Sequence, residues 1–243
     1  MELIQNVIEY YDELYPVTEG QKKFYADLMT KYAIPVKFLR IGCGTGYFEH
    51  LLAREGHDVT GIDTSKEMLE SANLKRRNQL MAIRFFLMST IDMTRFLGQG
   101  FYNIISCLNN EVLFIHDRTL MRKYFFDCKQ LLAPNGTLVL QLTNFMINNN
   151  VPVIKLTTRE SIRAKLYTEI LTKDDGSKYL SEEVETGTGK VLPVVDKTSI
   201  YPLLPSEIEE FAEEAGFSSA EFYADFSKKE FTGKEPEMIV LLN

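Results

Sequence analysis

The sequence has 243 residues, which is long for one domain and short for two, so a single α/β domain with an insertion fits best. Hydrophobic residues make up 45% and charged residues 25%, a composition that excludes wholesale disorder. The net charge of −7, without a Lys/Arg run, disfavours nucleic acid as a partner. No apolar stretch reaches the roughly 20 residues of a membrane span, and we expect no secretory signal.

Cysteine and histidine usage argues against a metal site. Cys43, Cys107 and Cys128 are an odd number without metal-ligand spacing, and the three histidines lie far apart. The sequence therefore predicts reduced thiols, no bound metal and a cytoplasmic location.

The first half of the chain predicts helices followed by alternating strands and helices. Apolar residues three and four positions apart indicate one helix ending before Pro16 and a second through residues 24–32. Strands are then predicted at 36–41, 59–63, 83–88, 102–108 and 137–142, with helices between them. Each strand is apolar almost throughout, which is typical of a parallel, doubly wound sheet covered on both faces.

Two of the helices carry a capping pattern at their starts. Predicted capping boxes begin at Thr64 and at Ser206, and each has a glutamate three residues later. After the second of these helices, strands at 219–224 and 237–242 end the chain and bring the main sheet to seven strands.

The segment 150–201 has a different pattern. Alternation with period two between residues 162 and 170, a hairpin signal at Asp175-Gly176 and a glycine-rich turn at 186–189 predict a small antiparallel sheet. We therefore expect four parts in chain order. These are an N-terminal helical lid (1–32), a core (33–149), an inserted sheet on the substrate side (150–201) and the C-terminal part of the core (202–243).

A glycine loop follows the first predicted strand. Gly42, Gly44 and Gly46 allow the backbone to turn sharply and to approach a ligand closely, and the helix start beyond them adds amide donors. Asp63 ends the next strand, where a carboxylate can accept both hydroxyls of a ribose. Because Tyr47 stands where a dinucleotide-binding loop needs its third glycine, the spacing favours a nucleoside without a pyrophosphate.

The stretch Phe38–Gly46 resembles the first motif of the class I S-adenosylmethionine (SAM)-dependent methyltransferases. The stretches 61–69, 91–93 and 132–138 resemble further motifs of that family in the same order, so the resemblance covers residues 36–142. The segment Tyr10–Tyr15 and the inserted sheet are similar to the small-molecule branch, which includes glycine N-methyltransferase and amino-sugar N-methyltransferases. The resemblance implies a mostly parallel, seven-stranded Rossmann-like sheet that binds SAM.

The resemblance also implies a set of residues around SAM. The glycine loop would lie against its methionine part, Asp63 would hold the ribose, the segment at 92–93 would contact the adenine, and the residues after the fourth strand would face the methyl group. The implied cofactor-binding residues are Gly42, Cys43, Gly44, Gly46, Asp63, Thr64, Asp92, Met93, Leu108 and Asn109.

One position departs from the family pattern. Arg40 stands where the family usually has Asp or Glu, which helps to hold the ammonium group of SAM. Either Arg40 points elsewhere or the affinity for SAM is reduced. The candidate catalytic residues are His116, as a general base beside Asp117, and Tyr11, through its hydroxyl. For Asp117, capping the following helix is the competing interpretation.

These observations predict methyl transfer from SAM to a small-molecule acceptor, with nitrogen favoured over oxygen because the sequence offers no unmistakable base. One alternative is an NAD(P)-dependent Rossmann oxidoreductase, which needs a Tyr-x-x-x-Lys pair or a His/Asp relay that the second half of the sequence lacks. Another is a non-catalytic SAM-binding protein, which Arg40 would explain. The identity of the acceptor and the oligomeric state, a homodimer included, stay open.

Overall fold

A computed structural model describes residues 3–75, 82–147 and 151–243. Its helices are α1 (Tyr11–Leu14), α2 (Glu19–Met29), α3 (Tyr47–Arg54), α4 (Lys66–Leu74), α5 (Met93–Phe96), α6 (Arg118–Leu131) and α7 (Pro205–Ala215). Its strands are β1 (Lys37–Ile41), β2 (Asp58–Asp63), β3 (Ile83–Leu87), β4 (Tyr102–Cys107), β5 (Leu132–Thr143), β6 (Val153–Lys155), β7 (Arg159–Glu160), β8 (Ala164–Thr172), β9 (Lys178–Thr186), β10 (Val191–Ile200), β11 (Ala220–Tyr223) and β12 (Glu237–Leu242). Within these ranges, no helix is long and apolar enough to cross a membrane.

The main sheet has seven strands in the order β11-β12-β5-β4-β1-β2-β3. The five strands from β5 to β3 pair in parallel, whereas β12 pairs antiparallel with both β5 and β11. The predicted doubly wound, mostly parallel sheet is confirmed. Because the chain moves outward from β1 in one direction and from β4 in the other, the strand order reverses between these two strands, and their C-terminal ends form the usual ligand site of such a sheet.

The residues of the central strands explain why this sheet forms. Four of the five residues of β1 and five of the six of β4 are buried, as expected for strands with helices on both faces. Helix α6 covers the sheet with an apolar stripe that includes Met121, Phe125 and Cys128, and the carboxylate of Asp117 accepts from Leu120 N–H at 2.9 Å to cap its start. All three cysteines are buried and unpaired.

The helix starts at both predicted capping boxes are shifted by one or two residues. Helix α4 is capped by Ser65, whose hydroxyl accepts from Met68 N–H at 3.1 Å, so the prediction of Thr64 as the cap is wrong. Helix α7 has Leu204 as its N-cap, with Glu207 accepting from the Leu204 N–H, so Ser206 lies inside the helix. The reason is Pro205, whose fixed φ and missing N–H suit the first helical position.

The inserted segment forms a second sheet in the order β10-β9-β8-β6, with β7 also paired to β8. All of its pairings are antiparallel, and the two predicted turns join β8 to β9 and β9 to β10. The predicted boundary between core and insertion, at 149 and 150, lies outside the described residues.

The N-terminal segment is helical in short pieces. The single predicted helix is two 3-10 turns, Ile4–Asn6 and Ile8–Tyr10, followed by α1. Its first residues bond to the inserted sheet instead of continuing a helix, since Leu3 N–H donates to the carbonyl of Val194 at 2.7 Å. The segment therefore bridges the two sheets.

Candidate active site

A cavity of about 370 Å³ opens at the C-terminal ends of the central strands, where β1 and β4 are neighbours. The N-terminal segment, the glycine loop, the strand ends and the inserted sheet all contribute to its walls. Residues that line it include Tyr11, Tyr15, Gly42, Gly44, Asp63, Thr64, Met88, Ser89, Asn109, Glu111, Arg159, Thr168, Glu182 and Glu237. Its volume lies within the range of about 300–1,000 Å³ that is usual for small-molecule sites.

The glycine loop adopts a backbone that only glycine takes up easily. Gly42, Gly44 and Gly46 all have positive φ angles, of 66°, 54° and 69°. A Cβ at Gly44 would lie 2.8 Å from the ring of Tyr11, and one at Gly46 would lie 2.6 Å from the ring of Phe85. The absence of side chains therefore lets the N-terminal segment and β3 approach the loop closely.

Asp63 links the glycine loop to the end of β2. One of its carboxylate oxygens accepts from Gly44 N–H at 2.7 Å, and the other accepts from Ser65 N–H at 2.8 Å. Burial raises the pKa of Asp63, although these backbone hydrogen bonds act in the opposite direction. The carboxylate holds the loop in place and also lines the cavity, where its remaining lone pairs can accept from a ligand.

Two tyrosines of the N-terminal segment lie between the loop and the inserted sheet. The rings of Tyr11 and Tyr15 are stacked, with their centroids 4.7 Å apart, and the guanidinium of Arg159 lies 4.4 Å from the centroid of Tyr15. Burial raises the pKa of both hydroxyls well above the ordinary value of 10, and nearby carboxylates act in the same direction. Both tyrosines therefore stay protonated and can donate hydrogen bonds.

Three glutamates line the cavity in addition to Asp63. Glu111 lies in the turn after β4, Glu182 on β9 and Glu237 at the start of β12. One carboxylate oxygen of Glu182 accepts from the hydroxyl of Thr168 at 2.9 Å, which orients this side chain on the inserted sheet. Sequence reasoning missed all three glutamates and Arg159, because no motif marks them.

The structure brings six of the predicted site residues to the cavity: Tyr11, Gly42, Gly44, Asp63, Thr64 and Asn109. Cys43 and Leu108 line a smaller neighbouring cavity instead. Asp92 lines a surface groove beside β3, and Met93 is fully buried in the core below it.

Two other predicted site residues lie apart from the cavity walls. Gly46 faces Phe85 and α4 rather than the cavity. His116 is exposed in the loop before α6 and does not line the cavity. Among the residues that the structure describes, no His/Cys/Asp/Glu group has an arrangement that could hold a metal ion.

Arg40 lies behind the glycine loop, on the face of β1 that packs against α3. It is 5% exposed, its Nε donates to the carbonyl of Gly42 at 3.3 Å, and the same nitrogen lies 3.7 Å from the carboxylate of Glu49. Arg40 does not line the main cavity. Glu49, a buried acid on α3, thus offsets part of the charge of Arg40, which occupies the position where the family usually has Asp or Glu.

Comparisons with known proteins agree with this geometry. A model of the methyltransferase domain family matches residues 38–136. The YqeM protein of Bacillus subtilis, named as a methyltransferase, is 26% identical over 94% of this chain and 92% of its own length. A methyltransferase-named protein of Geobacillus is 31% identical, but that match covers 42% of this chain and only 40% of the relative. The glycine/sarcosine N-methyltransferase of Aphanothece halophytica is 24% identical over 93% of this chain and 84% of its own.

Solved structures share the fold over nearly the whole chain. The CcbJ methyltransferase of Streptomyces caelestis superposes with a TM-score of 0.78 at 20% identity, covering 98% of this chain and 95% of that one. A SAM-bound amino pentose methyltransferase of Micromonospora echinaspora gives a TM-score of 0.64 at 17% identity, with coverages of 97% and 96%.

The matched domain and the shared fold define a SAM-dependent methyltransferase. An enzyme of this class uses S-adenosylmethionine as its cofactor. The residues present fit this cofactor. Gly42 and Gly44 bring bare backbone to the cavity wall, and the carboxylate of Asp63 lies beside them. A nucleoside that carries an amino-acid chain needs a hydrogen-bond acceptor for its sugar hydroxyls and a loop without side chains that its amino-acid chain can approach closely.

Proposed function

We propose that this enzyme transfers the methyl group of SAM to the nitrogen of a small amine that carries a positive charge in solution. The observation that carries the proposal is the negative charge of the cavity wall, to which three glutamates add beyond Asp63. Glu111, Glu182 and Glu237 place three carboxyl groups there, against the single guanidinium of Arg159 among the described lining residues. An excess of carboxylates attracts a cation and repels an anionic acceptor.

The relatives include both acceptor chemistries, since the glycine/sarcosine enzyme is named for methylation at nitrogen and a ubiquinone-biosynthesis enzyme of Pectobacterium for methylation at oxygen. The proposal of nitrogen therefore depends on the cavity. A hydroxyl acceptor needs a base close to the attacking oxygen, whereas an amine needs to lose only the proton of its ammonium form before it attacks. The protonated hydroxyls of Tyr11 and Tyr15 cannot serve as bases at neutral pH.

The same residues suggest how the chain promotes the reaction. When bound, SAM supplies a methyl group on a positively charged sulfur. The glutamates bind the ammonium form and can accept its proton, after which the nitrogen lone pair is free to form the new C–N bond. Tyr11 and Tyr15 donate hydrogen bonds that orient the acceptor, and alignment of this kind can lower the barrier by several kcal/mol.

Ion pairs hold the N-terminal segment beside the cavity. Arg163 on the inserted sheet forms ion pairs with Glu9 and Glu13 of the N-terminal segment, the latter at 2.7 Å. Asp12 pairs with Lys75 at 2.5 Å and accepts from the hydroxyl of Thr45 in the glycine loop. These contacts fix the N-terminal segment between the inserted sheet and the glycine loop, where it can limit the access of water to the acceptor.

The test is a methylation assay with matched acceptors. S-adenosylhomocysteine production is measured with small amines and with the hydroxyl and carboxylate compounds of the same carbon skeletons. We expect turnover with amines only, and comparable turnover with the hydroxyl series would refute the proposal. For the best amine, Glu182→Gln should raise KM roughly tenfold or more, since hydrogen bonds to charged groups contribute about 1.5–3 kcal/mol. Glu183→Gln is the matched control, because Glu183 is exposed on the other face of β9.

A further inference from the structure

A second cavity, of about 150 Å³, lies behind the glycine loop. It shares four wall residues with the main cavity: Tyr11, Tyr15, Asn109 and Arg159. The remaining walls come from the N-terminal segment, β1, the glycine loop, α3 and the ends of β4 and β5, and they include Asp12, Arg40, Cys43, Thr45 and Glu49. This space therefore continues the main cavity past the end of β1, where the amino-acid chain of SAM would pass.

Of the charged groups that line this second cavity, Asp12 is bonded to Lys75 and Thr45, whereas Arg40 and Glu49 are buried but incompletely bonded. The side chains of Arg40 and Glu49 are 6% and 2% exposed, and their closest approach of 3.7 Å is too long for a hydrogen bond. Nε of Arg40 is bonded to the carbonyl of Gly42, but Nη1 has no hydrogen-bond partner, and neither has Oε1 of Glu49. Buried polar atoms without partners are costly, so an arrangement of this kind calls for a ligand that supplies the bonds.

The chemistry of the two groups selects that ligand. A guanidinium matches the planar geometry of a carboxylate, to which it can donate two parallel hydrogen bonds. Arg159 also lines the second cavity, so two guanidiniums are available to an anion there. Glu49 offsets part of the charge of Arg40 when no anion is bound. Among the groups of SAM, only the α-carboxylate is a small anion, and it lies at the end of the chain that passes the glycine loop.

We propose that Arg40 binds the α-carboxylate of SAM in the second cavity and thereby selects cofactors that retain this group. Where the family usually has an acid that helps to hold the ammonium group of SAM, this chain would instead bind the carboxylate of the same amino-acid group. The proposal rests on SAM as the cofactor and not on the nature of the acceptor. It contrasts with a purely structural role, in which the Arg40–Glu49 pair only stiffens the glycine loop.

The experiment compares two ligands that differ only in the carboxylate. Calorimetric titration measures the dissociation constants of S-adenosylhomocysteine and of its decarboxylated analogue, S-adenosyl-3-thiopropylamine. We expect the wild type to prefer the first by roughly tenfold or more. Arg40→Met should weaken S-adenosylhomocysteine binding by a similar factor while the affinity for the decarboxylated analogue stays unchanged, so that the preference disappears.

A second variant covers the case in which Arg40→Met leaves Glu49 uncompensated and the protein unfolds. Arg40→Met combined with Glu49→Met removes both charges, a replacement that is often neutral for stability at buried pairs. The same loss of preference is expected there. Equal weakening of both ligands would show a structural role and overturn the proposal, as would a wild type that binds both ligands equally well or binds neither. None of these titrations contains an acceptor, so failure of the amine proposal cannot be mistaken for failure of this one.

Discussion

Asp63 provides the sharpest test of the cofactor site, because its carboxylate has two measurable partners. It accepts from the backbone N–H groups of Gly44 at 2.7 Å and Ser65 at 2.8 Å. The substitution Asp63→Asn preserves the size of the side chain but replaces one acceptor oxygen with an NH2 group. That group would face a backbone N–H, so one of the two hydrogen bonds is lost together with the charged acceptor that we predict for the ribose.

The magnitude follows from the loss of charge. A hydrogen bond to a charged group contributes about 1.5–3 kcal/mol, which corresponds to a factor of about 10–150 in a binding constant. We expect Asp63→Asn to weaken S-adenosylhomocysteine binding by at least tenfold. Part of this loss would come from a displaced loop, so the unfolding midpoint of the ligand-free protein should also fall by a few degrees.

Calorimetric titration with S-adenosylhomocysteine and with its 2′-deoxy analogue separates the two contributions. Loss of the hydroxyl should weaken binding to the wild type but have little effect on binding to Asp63→Asn, because the acceptor is already impaired. Asp27→Asn serves as a control variant, since Asp27 is exposed on α2 and lines neither cavity. An affinity of Asp63→Asn within twofold of the wild type would refute the assignment of Asp63 to the ribose.

Two further predictions concern stability. In urea unfolding, Gly46→Ala should destabilise the fold by about 1–3 kcal/mol more than Gly176→Ala. Both glycines have positive φ, but only a Cβ at Gly46 would meet a neighbour, the ring of Phe85 at 2.6 Å. Equal losses of stability would contradict this prediction. Burial raises the pKa of Glu49 from 4.5 to about 7, despite the opposing effect of Arg40. The folded state therefore binds this proton more tightly than the unfolded state, and the resulting stability is present below about pH 4.5 and is lost as the pH rises to 7. Relative to Glu49→Gln, the wild type should lose up to about 3 kcal/mol of unfolding free energy over that range, and parallel pH profiles for the two proteins would contradict the pKa shift.

The sequence by itself determined the main sheet and the glycine loop. Each central strand is a short apolar run, and the residues that end β1 and β2 adjoin it in the chain, so their position at the sheet edge follows from local pattern alone. Gly42, Gly44 and Asp63 are found where the sequence placed them. The exact helix starts were less predictable, since Pro205 and Ser65 compete with neighbouring residues for the same role.

Only the tertiary structure decided the acceptor side of the site. Tyr11, Glu111 and Glu182 are separated by up to 171 positions in the chain, and no spacing rule connects them until the inserted sheet folds over the N-terminal segment. The same holds for Arg40 and Glu49, which belong to a strand and a helix on opposite sides of a loop. In the sequence, Arg40 in place of an acid suggests a weakened SAM site. In the fold, the buried carboxyl group of Glu49 offsets part of the charge of Arg40. Contacts of this kind depend on packing between elements, which the local periodicity of the sequence does not determine.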